Sequence, residues 1–126
     1  MVILSNAYDS ARESAAFEYR ETAFKLILKL VTLYWETLVS GGGDAKARTV
    51  FGKEEYSAQE SETVEKNQRA RRLRTFTYKG EQVEMTRHLK HGVKDTVADT
   101  LRLHFHWDAQ SKKIVIGHCG KHLDFS

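Results

Sequence analysis

Proline is absent from these 126 residues and cysteine occurs once. A lone Cys119 excludes an internal disulfide and fits a reducing compartment, leaving metal ligation, reactivity or packing as its roles, with packing the expectation. No apolar run approaches the length of a membrane span, so no membrane partner is expected. The opening MVILSNA lacks a basic start followed by a long apolar run, and a cytoplasmic location is the expectation. Several chemistries also lack their signatures. GGGD at 41–44 follows a helical pattern rather than a strand, which makes a poor phosphate cradle, and neither paired glycosidase carboxylates nor a Ser-His-Asp order can be read.

What is present divides unevenly. Residues 1–66 carry 8 basic and 11 acidic side chains, whereas residues 67–126 carry 12 basic and 6 acidic ones and all six histidines. A basic second half attracts phosphate-bearing partners such as RNA. The division suggests an N-terminal helical segment over 1–52 and an α+β region over 53–126, together forming one structural unit.

Ser10-Ala-Arg-Glu13 has the form of a capping box, and the absence of proline or glycine predicts one long helix from Ser10 to Ser40, stopped by Gly41-Gly42-Gly43. Phe17, Phe24, Val31 and Leu38 recur every seven residues, with Leu28 and Trp35 between them and Ile27, Leu30 and Tyr34 widening the stripe. So much apolar surface needs covering, by the domain itself or by a second copy in a homodimer through the 10–40 helix. Glu54 to Arg72, acidic first and basic last, suits a solvated helix.

Two hairpins are expected. Leu73–Tyr78 and Gln82–Thr86 flank Lys79-Gly80, a two-residue turn that pairs Tyr78 with Glu81 and Phe76 with Val83. In the second, Leu101, Leu103, Phe105 and Trp107 alternate with Arg102, His104, His106 and Asp108. A turn at Asp108–Ser111 sets Phe105 across from Ile114, Leu103 from Ile116, Arg102 from Gly117, His104 from Val115 and His106 from Lys113. His118 then points to the core and Cys119 to the His104 side, unless a bulge at Gly117 reverses them. Arg87 to Thr100 reads as a loop. The expected fold is α+β: a long N-terminal helix packed on a small antiparallel sheet made of two hairpins.

The shared face of Arg102, His104 and His106, with the late His122, has the groups that RNA cleavage needs. Imidazoles serve as base and acid near neutrality and a guanidinium holds the phosphate. Arg87, Lys90, Lys113 and Lys121 would add phosphate contacts. An arginine on a strand, a short turn, an apolar strand and a terminal histidine in CGKHL, after a helical start and an earlier hairpin, resemble the RelE/YoeB-type mRNA endoribonuclease toxins. The segments HLKHG, LRLHFHWD and IGHCGKHL also look like a C-terminal module of uncharacterised bacterial proteins. The toxin resemblance implies a metal-independent endoribonuclease of toxin or defence type, acting on mRNA at the ribosome and held by an antitoxin. Arg102 would be its phosphate-binding arginine and His122 its acid. A competing pattern is His88-x-x-His91 with Cys119-x-x-His122, a Cys-His₃ zinc set that would make the chain a zinc-stabilised, non-enzymatic nucleic-acid or protein-binding module.

Overall fold

The computed structural model describes residues 1–13, 20–92, 100–120 and 123. The expected class holds and the architecture differs in detail. Strands β1 (Val2–Ile3), β2 (Tyr56–Ser57), β5 (His88–Gly92), β6 (Thr100–Asp108) and β7 (Lys113–Gly120) form one mixed sheet in the order β1-β7-β6-β5-β2. Strand β1 runs parallel to β7 and the other pairs are antiparallel. Strands β3 (Thr75–Tyr78) and β4 (Glu81–Glu84) make a separate two-stranded ribbon. The two expected hairpins therefore do not join into one sheet. The segment read as a loop, residues 87–100, contributes β5 instead, whose Leu89 packs at the core while its backbone pairs with β6.

The expected helix from Ser10 to Ser40 is replaced by α1 (Ser5–Glu13) and a second helical run: α2 (Arg20–Lys29), a π-helical turn (Leu30–Tyr34) and α3 (Trp35–Val39). The capping box is also corrected. Ser10 lies inside α1, and its hydroxyl reaches Ala7 O at 3.0 Å and Cys119 O at 3.2 Å while accepting from the Cys119 amide at 3.1 Å. A tertiary partner on β7 has taken the hydroxyl that local pattern assigned to a cap.

The buried helix face is Ala23, Leu26, Leu30 and Tyr34. Four-residue spacing drifts around a regular α-helix, and the wider π turn, closed i to i+5, keeps Leu30 and Tyr34 on the line that meets the sheet. The seven-residue stripe read from sequence is the neighbouring, less covered face: Phe24 remains 65% exposed and Leu28 49%. Phe17 lies outside the described residues.

After α3 the chain makes the short α4 (Gly43–Ala47) and a 3₁₀ turn (Arg48–Val50). The single helix expected over 54–72 is instead β2, a loop, α5 (Glu62–Glu65) and α6 (Gln68–Leu73). Side-chain caps divide the last two: the Ser61 hydroxyl accepts from Val64 N and the Asn67 carbonyl oxygen from Ala70 N at 3.0 Å.

One sheet face packs Leu101, Leu103, Phe105, Ile114 and Ile116 against the helical run, with the Tyr34 ring edge-on to Phe105 at 5.6 Å. Asp44 ties this layer together, accepting from the Tyr34 hydroxyl at 2.6 Å and the Tyr56 hydroxyl at 2.7 Å and pairing with Arg48. Burial, then the bond to Asp44, pushes the Tyr56 phenol up to about 12. The opposite sheet face is covered by the β3–β4 ribbon, whose Phe76 and Met85 meet Val115 in a second apolar cluster. The ribbon turn matches its expected register, with Lys79 at φ 51° and Gly80 at φ 78°. Its Tyr78 hydroxyl donates to Asp108 at 2.7 Å and so fastens the ribbon to the end of β6.

Candidate functional site: a buried histidine, arginine and glutamate layer

Alternation along β6 puts Arg102, His104 and His106 on one face, as expected, but the ribbon and the 58–74 segment lie over much of it. Arg102 is 6% exposed and His104 2%, His106 is half-buried and Lys113 is exposed. The hairpin register also differs. Phe105 pairs with Ile116, His106 with Val115, Trp107 with Ile114 and Asp108 with Lys113, leaving Ala109–Lys112 as the turn. Asp108 Oδ1 accepts from the Gln110 and Ser111 amides, both at 3.1 Å, and Lys112 takes φ 56° to close the turn. The two-residue shift preserves which side chains share a face.

At Gly117 the ladder bulges. Beyond it His104 pairs with His118, Leu103 with Cys119 and Arg102 with Gly120. The extra residue reverses parity, so His118 joins the His104 face while Cys119 packs beside the main core, where burial pushes its thiol up. Gly117 is required by crowding: an added Cβ would stand 2.7 Å from Met85 Sδ and 2.8 Å from Phe76 Cδ2. Arg102 still lies across from a glycine, Gly120 in place of Gly117.

Strand β5 adds His88, directly across from His104. The His88 and His104 rings stack at 4.9 Å with 21° between their planes, and His118 meets His104 at 5.8 Å and 68°. Glu60 enters from the loop before α5, and Arg74 from the end of α6. Arg74 is 1% exposed; its Nε donates to Glu60 Oε1 at 2.8 Å, Nη1 to Ala70 O at 2.9 Å and Nη2 to Leu123 O at 3.1 Å. The planar fork therefore joins the loop, its own helix and the C-terminal segment.

Glu60, His88 and His104 present ligand atoms within 4.8 Å of one another. Their protons and lone pairs decide how well they fit a metal. His88 Nδ1 lies 2.9 Å from Thr86 O and His104 Nδ1 3.1 Å from Met85 O, and because a carbonyl only accepts, both Nδ1 atoms carry hydrogen. Those N–H groups stand 3.7 and 3.6 Å from Glu60 Oε1, which already holds the Arg74 guanidinium. A cation held by Glu60 Oε1 and the two Nδ1 atoms would have to displace Arg74 and both backbone contacts, whereas the lone pairs of the two rings lie on Nε2. As it stands the arrangement is an internal ion pair, Arg74 with Glu60, flanked by two imidazoles. Burial holds the His88 imidazole down at about 4 and lowers His104 well below its ordinary range, with His88 and His118 as further causes for His104. Burial also lowers the Arg102 guanidinium, whose Nη1 donates to Leu101 O at 2.8 Å.

The Cys-His₃ set is not brought together. His88 and His91 are three residues apart on β5 and point to opposite sheet faces, and Cys119 faces away from His88. His122 and Lys121 lie outside the described residues. Lys90 pairs with Arg102, whereas Arg87 approaches Asp44 at 3.9 Å, on the way to the other layer. Sequence reasoning missed Glu60 and Arg74. Neither had a local signal, since Glu60 sat in a charge run that reads as solvated and Arg74 in the hairpin arm Leu73–Tyr78.

Among the described residues no helix is long and apolar enough to cross a membrane. Comparison with protein-family models, curated proteins and solved structures finds no match to this chain.

Proposed function

We propose that this chain is a non-enzymatic interaction module that works through the uncovered apolar face of α2. The observation that carries the reading is the pair Phe24 and Leu28, one helical turn apart and 65% and 49% exposed, on a helix whose other face is already buried. Contiguous exposed apolar surface on a small protein marks a contact with another molecule. The composition of the face, an aromatic anchor bordered by charges, is that of a protein contact. The test is a photoreactive benzoylphenylalanine in place of Phe24, with a second at exposed Glu62 as control. The expected result is a protein adduct in cells from position 24 only, and no adduct from that position overturns the reading.

Phosphate binding is the second reading, favoured by one observation. Lys90 and Arg102 are cross-strand partners, a like-charged pair whose repulsion, among the described residues, only the Glu60 carboxylate, already paired with Arg74, offsets from within, so an added anion beside Lys90 would be favoured. It would make the chain an RNA binder using Lys90, with the buried Arg102 guanidinium adding positive field behind it. Cleavage asks more, because the His104 and Arg102 side chains would have to reach a phosphate from beneath the ribbon. Incubation with RNA at neutral pH is expected to leave it intact. Cleavage abolished by Arg102→Ala, with folding retained, would restore the ribonuclease and its His122 acid.

A further inference from the structure

The uncovered face of α2 leads into a groove. Met1, Val31, Trp35 and Ile114 line a depression of about 330 Å³ that ends at Lys112 and Lys113 in the β6–β7 turn. Trp35 is fixed there by its Nε1–H, which donates to Lys112 O at 2.8 Å. Phe24, Leu28, Val31 and Trp35 follow the i, i+4, i+7, i+11 spacing of one helical stripe. The face thus carries a protruding aromatic ring at one end and an apolar hollow at the other, about 13 Å apart at the rise of a helix.

A knob and a hole on one face, separated along one axis, complement a copy of the same face turned around. We propose that two copies of this chain pair antiparallel through α2, each seating Phe24 in the groove of the other, with Leu28 meeting Leu28 near the two-fold axis. This rests on the interaction-module reading and names its partner. The charges at the rim agree with that direction. Glu21, 87% exposed and one turn before Phe24, would lie over Lys112 and Lys113 of the second copy. A parallel pairing would set each end against itself and leave both the groove and the turn lysines unmatched.

Sedimentation of the full chain tests the pairing. The wild type is expected to be a dimer. Phe24→Glu, at an exposed position whose loss leaves the core intact, is expected to weaken it by about a hundredfold, the size of a central aromatic anchor. Glu21→Lys alone, and Lys112→Glu with Lys113→Glu, should each loosen the dimer by a few fold, while all three together restore it. A monomeric wild type overturns the pairing, as does a dimer insensitive to Phe24→Glu. A dimer lost with Phe24→Glu but not restored by the combined charge reversal overturns the antiparallel direction and leaves the interaction surface standing. The position-24 crosslink separates the two proposals: an adduct of twice the chain mass supports self-pairing, and an adduct with a different protein overturns it while preserving the module.

Discussion

His104 and His118 face each other across β6 and β7, with ring centroids 5.8 Å apart and planes at 68°, because Gly117 bulges out of the ladder between them and Phe105. Without that extra residue His118 would point into the main core and Cys119 would stand beside His104. The bulge thus decides which layer receives the imidazole and which receives the thiol. It also lets Phe76 and Met85 press against bare backbone, so a single glycine sets both the polar layer and the seat of the ribbon above it.

Gly117→Ala is therefore expected to destabilise the fold by about 1–3 kcal/mol, the range for overpacking a tight site. Met85 has a flexible chain to move, but the Phe76 Cγ at 2.9 Å belongs to a rigid ring near its attachment. Urea unfolding of Gly117→Ala, and of the same change with Phe76→Leu, checks this. Partial recovery in the double variant is expected, and an unchanged midpoint in Gly117→Ala would show that the ribbon yields freely.

Arg74 and Glu60 are expected to behave as a coupled pair. Arg74→Met leaves a buried carboxylate beside two imidazoles, those of His88 and His104, and should cost about 3–5 kcal/mol, the range for breaking a buried ion pair from one side. Arg74→Met with Glu60→Gln should cost less than Arg74→Met alone, because no charge is stranded. Chemical denaturation of the two variants measures the coupling. Equal losses would mean that Arg74 acts through its bonds to Ala70 and Leu123 rather than through Glu60.

Acid should unfold the chain through the imidazole layer. His88 is held at about 4 in the fold against 6.5 ordinarily, so below 6.5 the unfolded chain takes up protons that the folded chain refuses. Stability is complete above about pH 6.5 and falls as the pH drops toward 4. His88 alone contributes about 3 kcal/mol to that fall, and His104, lowered in the same direction, adds to it. Thermal melts from pH 7.5 to 4.5 should show the decline, and His88→Gln should flatten it. A wild-type melting temperature constant over that interval would contradict the burial of neutral imidazoles.

Metal removal should do little. Both Nδ1 atoms donate to backbone carbonyls and Glu60 holds Arg74, and the sheet separates His88 from His91 and Cys119. Treatment with a chelator is expected to leave the melting temperature within about a degree of the untreated protein. Stoichiometric zinc whose loss lowers the melting temperature, and whose binding disappears with His88→Ala, would instead establish a zinc-stabilised module.

Period-2 alternation in 101–108 and the Lys79-Gly80 turn determined two hairpins, the register of the first, and the set of side chains that share each face of β6. These are local properties, fixed by backbone geometry within a few residues. Alternation names a face without naming what lies over it, and the Arg102, His104 and His106 face that reads as solvated is largely covered by a ribbon that packs through Phe76 and Met85. The same holds for α2. Its heptad stripe was legible, but which apolar stripe met the sheet depended on the π turn and on the shape of the strands beneath. Glu60 and Arg74 were invisible for a further reason: a charged residue, whether in a polar run or a strand arm, becomes part of a buried ion pair only when distant elements close around it. The tertiary structure alone brought loop, helix and two strands to one point, because desolvation and charge pairing act through space, whereas sequence patterns report neighbours along the chain.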